Sequence, residues 1–245
     1  MPTRLTSVVI DSADPAVLAR WWAAALGWNV TYEDKNEVDV EPPTGQPGIE
    51  LTFVPVDDPR TTKNRVHLDL RTGSPAEQQN LVQRLLDTGA TEADIGQGAV
   101  PWAVLADPEG NEFCVLEPRA EYAETGSLAA IVVDALDPAA MAGFWTAAAG
   151  WTQQEHDGLY ALKPPGGGPW LEFVPTSRPH TVKNRLHLDV APFLDDDQAA
   201  EVARLLSLGA LRTEVGQSDA EPGAITWVVL VDPEDNEFCV LSSRS

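Results

Sequence analysis

Asp107-Pro-Glu-Gly-Asn-Glu-Phe-Cys-Val-Leu116 returns as Asp232-Pro-Glu-Asp-Asn-Glu-Phe-Cys-Val-Leu241, nine identities in ten at an offset of 125. A match of that length makes the chain an internal duplication, and this has to be settled before any local structure is assigned. Other pairs agree in the same order. Lys63-Asn-Arg-Val-His-Leu-Asp69 returns as Lys183-Asn-Arg-Leu-His-Leu-Asp189, and Phe53-Val-Pro55 as Phe173-Val-Pro175, both at 120; Asp14-Pro15 returns as Asp137-Pro138, and Leu26-Gly-Trp28 as Ala149-Gly-Trp151, both at 123. The drifting offset marks small length changes in loops. The expected domains are therefore residues 1–120 and 127–245, joined by a linker over Glu121 to Ser127, which suits a 245-residue chain.

Each copy has its own internal order. Leu5 to Ile10 is a β-branched run; Asp14 then supplies an N-cap and Pro15 the first helical position, with Leu18, Trp21, Trp22 and Ala25 at helical spacing before Gly27. Trp28 to Glu33, Glu37 to Glu41 and Ile49 to Val54 read as three strands between turn-rich stretches. Arg65 to Arg71 restarts the pattern: Ser74-Pro75 with Glu77 resembles a capping box ahead of Leu81, Leu85 and Leu86, and Gly89 closes that helix. Strands follow near Thr91 to Ile95, Trp102 to Ala106 and Glu112 to Leu116. The fold class is α+β, with two βαβββ units per copy and four in the chain. Whether the units of one copy pair with each other or across copies is open.

Net charge is −22, with 9 basic and 19 acidic residues in 1–120 and 7 and 19 in 121–245, so neither half hides a basic domain. Such a surface repels nucleic acid and anionic membranes and favours solubility. No run of about 18 apolar residues offers a membrane span. Met1-Pro2-Thr3-Arg4 leads into a strand pattern without the apolar region of a signal peptide, so the cytoplasm is the expected location. Cys114 and Cys239 stand at equivalent points of the two copies, which favours reduced thiols over a disulfide.

Paired βαβββ units, an Asp-Pro helix ending in Leu-Gly-Trp and a terminal Asp-Pro-Glu-Gly-Asn strand resemble the vicinal oxygen chelate superfamily of glyoxalases, bleomycin-resistance proteins and extradiol dioxygenases. The resemblance covers nearly all of both copies and is nearest to the glyoxalase-like subgroup. It implies tandem glyoxalase-like domains, each with two units curled into a half-barrel around a cleft. Metal-dependent members hold a divalent ion with side chains of the first, fourth, fifth and eighth strands. Those positions map to Ser7 and Ala130; to Glu50 and Trp170, with Glu172 two residues on; to His67 and His187; and to Cys114 and Cys239, with Glu112 and Glu237 two residues earlier on the same face. One ligand thus survives, one is displaced, one is sulfur and one is lost.

His67, Cys114 and Glu50 are the candidate metal ligands, and Zn²⁺ is the ion such donors suit, although no complete shell is expected. His67 and Asp69 share one strand face, as do His187 and Asp189, so His67 and His187 are candidate acid, base or orienting groups alongside Glu50, Glu112 and Glu237. Ser7, Asp69, Cys114, Glu172, Asp189 and Cys239 are candidate ligand contacts, with Trp102 and Trp227 as platforms for planar ligands. The plainer readings are a satisfied core histidine, an inert buried thiol, core tryptophans and, for Lys63-Asn64-Arg65, a turn paired with neighbouring acids. His156 and His180 fall in loops and read as surface residues.

Three functions follow: a small-molecule binding protein without a complete metal site, a lyase or isomerase acting near a carbonyl with or without Zn²⁺, and an inert scaffold pair. Ring-cleaving dioxygenase chemistry and glyoxalase chemistry proper are least expected, because the residues at the Ser7 and Cys114 positions break the ligand sets that both need. The expected partner is a small-molecule ligand. The expected assembly is a monomer acting as a pseudo-dimer, or a homodimer.

Overall fold

The computed structural model describes residues 3–156, 159–215 and 226–243. Its elements run in chain order as β1 (Arg4–Ser12), α1 (Pro15–Leu26), β2 (Asn29–Glu33), β3 (Val38–Glu41), β4 (Glu50–Pro55), β5 (Val66–Leu70), α2 (Pro75–Asp87), β6 (Thr91–Glu92), β7 (Ala103–Ala106) and β8 (Glu112–Val115). A short 3₁₀ turn, Ala120–Tyr122, leads into β9 (Leu128–Ala135), α3 (Pro138–Ala149), β10 (Thr152–His156), β11 (Leu159–Lys163), β12 (Trp170–Pro175), β13 (Leu186–Ala191), α4 (Gln198–Ser207), β14 (Leu211–Arg212), β15 (Val228–Val231) and β16 (Glu237–Val240). No helix among the described residues is long and apolar enough to cross a membrane.

Local chemistry sets the helix ends. The carboxylates of Asp14 and Asp137 accept from the amides of Val17 and Ala140, Pro follows each cap, and Ser74 accepts from Glu77. Gly27, at φ +70°, ends α1 in the left-handed region that a side chain resists.

The sixteen strands among the described residues form two eight-stranded sheets, and each draws on both copies. Sheet A runs β14-β15-β16-β13-β1-β4-β3-β2, and sheet B runs β10-β11-β12-β9-β5-β8-β7-β6. The joins are antiparallel, β1 to β13 and β5 to β9. The first unit of one copy therefore pairs with the second unit of the other, which decides the question that the sequence left open. Core packing ties the units of one copy together instead. Trp22 of α1 stacks edge-on against Phe113 of β8 with centroids 5.1 Å apart, and Trp145 of α3 does the same to Phe238 of β16 at 5.3 Å. One apolar core runs through both sheets and all four helices.

The duplicated motifs are the fasteners of this arrangement. Asp107 accepts from the amides of Glu109 and Asn111, from Asn111 Nδ2 and from Trp22 Nε1; Asp232 repeats the set with Glu234, Asn236 and Trp145. Lys63 pairs with Asp134 at 2.7 Å and Lys183 with Asp11 at 2.5 Å, each reaching the other copy, so the Lys-Asn-Arg turn does pair with neighbouring acids. The one mismatch within the ten-residue repeat has a backbone consequence. Gly110 sits at φ +86°, and Asp235 in its place is held at φ +65°, a left-handed conformation that costs a residue with a Cβ about 1 kcal/mol. Asp235→Gly is expected to raise the urea midpoint, with a gain of about 0.5–1 kcal/mol.

Candidate functional site

Alternation along each strand decides which side chains meet. On β5, Leu68 and Leu70 enter the common core, so His67 and Asp69 face the other way. Register then fixes their neighbours. Asp69 stands beside Cys114 of β8 and Ala130 of β9; His67 stands beside Val132, which stands beside Glu172 of β12. A cleft of about 710 Å³ opens over this face of sheet B, with His67, Asp69, Cys114 and Trp102 from the first copy and Glu172 and Arg178 from the second. Sheet A repeats the row: Asp189 beside Cys239 and Ser7, His187 beside Val9, and Ser7 beside Glu50.

Each sheet thus gathers a His-Asp-Cys trio whose donor atoms lie within 4.8 Å of one another. His67 Nε2 is 3.5 Å from Asp69 Oδ1; in sheet A, His187 Nε2 is 3.6 Å from Asp189 Oδ1 and 3.6 Å from Cys239 Sγ. His67 Nδ1 and Asp69 Oδ1 are buried with no hydrogen-bond partner among the described residues. Desolvation disfavours every charge at this floor. Burial, with the nearby Lys63 charge, takes His67 down to about 3. Burial, with the Glu172 charge, takes Asp69 up to about 7. Burial, with the adjacent Asp69 or Asp189, pushes the Cys114 and Cys239 thiols up. At neutral pH the trio is a neutral imidazole, a thiol and a carboxyl poised between its two forms. Both cysteines are free.

The linker enters the sheet B site. Tyr122 is buried, donates to Glu172 Oε1 at 2.7 Å and packs edge-on against Trp170 with centroids 5.2 Å apart. Burial raises the Glu172 carboxyl and the Tyr122 hydroxyl above their ordinary ranges. Trp102 is half-buried on the cleft wall, with the Arg119 guanidinium 5.5 Å from its ring centroid. Trp227 packs beside Cys239, Leu241 and Ala191 on sheet A.

Not every predicted site residue arrives where the resemblance placed it. The trio of His67, Cys114 and Glu50 is divided, because β4 belongs to sheet A and β5 and β8 to sheet B. Asp69 takes the third place instead. Glu50 joins Ser7 and Thr52 on sheet A, where Thr52 Oγ1 donates to it at 3.3 Å. Glu112 is ion-paired with Arg60 and accepts from the Asn64 amide, so it anchors a loop. Glu237 lies 3.4 Å from His180 Nε2 and accepts from the Asn184 amide, so it holds the equivalent loop. His180 is therefore no loose surface residue: its side chain is only 11% exposed, and the repeat sets it opposite Arg60. The side chain of His156 lies outside the described residues. Sequence reasoning passed over Tyr122, Arg119 and Arg178; only Arg178 left a signal, since the copies carry Asp58 and Arg178 at equivalent points.

The sequence pattern of the glyoxalase-like domain matches residues 7–116 and again residues 130–241. The chain belongs to the glyoxalase-like domain family. In fold, this glyoxalase-like chain is similar to glyoxalase I from Zea mays, with a TM-score of 0.64 and 14% identity over 98% of this chain and 92% of that one. It is likewise similar to a putative dioxygenase from Bacillus subtilis, with a TM-score of 0.62 and 16% identity over 100% of this chain and 86% of that one. No curated protein matches the glyoxalase-like chain.

Proposed function

We propose that the protein binds a small, planar or amphipathic molecule in the cleft of sheet B. The observation that carries this reading is the cleft itself: about 710 Å³, with Trp102 on its wall and His67, Asp69 and Cys114 at its floor. That size suits a small ligand, and a mostly apolar wall with a few convergent polar groups is what such sites need. Trp102 supplies a flat face; His67 Nδ1 and Asp69 Oδ1 supply buried polar atoms with unmet hydrogen-bonding capacity. Fluorescence titration against a panel of aromatic and amphipathic compounds tests it. At least one is expected to quench wild-type emission saturably and to lose most of that quench in Trp102→Phe. Quenching that is unchanged in the variant, or absent across the panel, rejects the reading.

A second reading, a Zn²⁺-dependent lyase or isomerase, is favoured by the donor trio. Three donors within 4.8 Å fit the three-ligand shell of a catalytic zinc site, and a divalent ion would satisfy the orphaned Asp69 Oδ1 and neutralise the carboxylate and thiolate that burial disfavours. His67, Asp69 and Cys114 would hold the ion, which supplies Lewis acidity toward a carbonyl oxygen. Near-stoichiometric zinc in elemental analysis of protein purified without chelators, lost in His67→Ala and Cys114→Ser, is the expected result on this reading. Metal-free wild-type protein that takes up no added zinc eliminates it.

A further inference from the structure

Among the described residues, every permanent cation lining the sheet B cleft but one is held by an acid. Lys63 is paired with Asp134 at 2.7 Å and Arg119 with Glu117 at 2.7 Å. Glu172 accepts from Tyr122 at 2.7 Å, and Asp69 stands 3.5 Å from His67. That leaves Arg178. Its backbone is fixed on both sides: its carbonyl accepts from Arg65 Nη1 at 2.6 Å, and its amide donates to Thr176 Oγ1 at 3.2 Å. Its exposed guanidinium has no hydrogen bond or ion pair among the described residues, and it lines both the cleft and a cavity of about 450 Å³ walled by both copies. A cation held at its Cα and free at its tip, lining the same cleft as the Trp102 platform, is arranged to meet an anion.

The other copy supplies the internal control. Asp58 is the counterpart of Arg178, and its carbonyl is pinned in the same way by Arg185 Nη1 at 2.8 Å. The backbone device is kept and the side-chain charge is reversed. The floors have diverged too: Glu50 and Thr52 stand in sheet A where Trp170 and Glu172 stand in sheet B. On a chain of net charge −22 the general field repels anions, so an anionic ligand needs a local cation to bind.

We propose that the sheet B cleft selects planar small molecules carrying a carboxylate, with Arg178 reading the anion and Trp102 the ring, while the equivalent face of sheet A, with Asp58 in the matching place, does not. This rests on the reading of the sheet B cleft as a small-molecule site and names its substrate class. A guanidinium offers a carboxylate two parallel N–H donors, whereas a carboxamide of the same shape brings no charge.

The matched probes are 2-naphthoate and 2-naphthamide, titrated by calorimetry and by tryptophan fluorescence into the full chain. Wild type is expected to bind the acid about tenfold more tightly than the amide, the difference of one charge-assisted hydrogen bond. Arg178→Asp, which has no side-chain bond to lose, is expected to fold normally and to abolish that preference while keeping amide binding; Arg178→Lys keeps part of it. Added salt weakens acid binding and leaves amide binding unchanged. Equal affinity for the two probes in wild type, or a preference that survives Arg178→Asp, overturns anion selection and leaves the cleft reading intact. Failure of both probes to bind overturns carboxylate selection, and binding indifferent to Trp102→Phe rejects the two readings together.

Discussion

An Arg65→Ala variant is expected to lose about 3–5 kcal/mol of unfolding free energy, the range found when one member of a buried ion pair is removed and its partner stays buried. The Arg65 side chain is only 10% exposed and pairs with Glu234, which is itself 10% exposed, at 2.9 Å. Its remaining N–H groups donate to Asn236 Oδ1, to the Arg178 carbonyl and to the Asp134 carbonyl. All four partners belong to the other copy, so truncation removes a cluster of bonds that ties the two copies together. For a chain of this size the melting temperature should fall by roughly 10 °C. Arg65→Lys should recover little, because one ammonium cannot reach four divergent acceptors in a fixed fork. Arg185 provides the comparison. It donates to the carbonyls of Asp58 and Asp11, but Glu109 lies 3.8 Å away, so Arg185→Ala should cost clearly less. Equal losses in the two alanine variants, measured by urea denaturation, would show that the extra bonds at Arg65 contribute nothing.

Much of this architecture is legible along the chain because its signals are local. The Asp14, Ser74 and Asp137 caps, the alternation that sets His67 and Asp69 against Leu68 and Leu70, and the ten-residue repeat all follow from residues close in sequence. Partner choice does not. Since β1 and β9 are copies of each other, nothing in either strand says which of them β5 should join, and the answer depends on which arrangement closes one core through both sheets. The candidate site inherits that ambiguity. Glu50 could be assigned to the His67 site only by assuming that the units of one copy share a sheet. Asp69 was visible as a face-mate of His67, but its proximity to Cys114 is a product of the parallel register of β5 and β8. Tyr122 gave no sign at all, because a polar linker offers no periodicity from which to infer that one of its side chains is buried against Glu172.

Asp69→Asn and His67→Gln are expected to tilt the pH dependence of stability in opposite directions. Folding takes His67 from its ordinary value of 6.5 down to about 3 and Asp69 from 3.8 up to about 7. Between roughly pH 4 and 6.5 the unfolded chain therefore holds one proton on the imidazole, and the folded chain holds one on the carboxyl. The counts are equal, so the pair adds no slope in wild type. Removing the carboxyl leaves His67 alone. Its stability contribution is present above 6.5 and is lost as pH falls toward 3, so Asp69→Asn should gain stability, relative to wild type, as pH rises through that window. Removing the imidazole leaves Asp69 alone, whose contribution is present below 3.8 and is lost as pH rises through 7, so His67→Gln should lose stability over the same window. Each slope is at most about 1.4 kcal/mol per pH unit. His187, taken down to about 4 chiefly by its own burial, adds a background common to all three proteins, which is why the quantity to measure is the difference from wild type at each pH in chelator-treated protein. Slopes of the same sign in the two variants would mean that His67 and Asp69 do not exchange a proton on folding. Opposite slopes would establish at the cleft floor a carboxyl that can give or take a proton near neutrality beside an imidazole that stays uncharged, which is the arrangement a site needs in order to donate a hydrogen bond to one ligand atom and accept one from another.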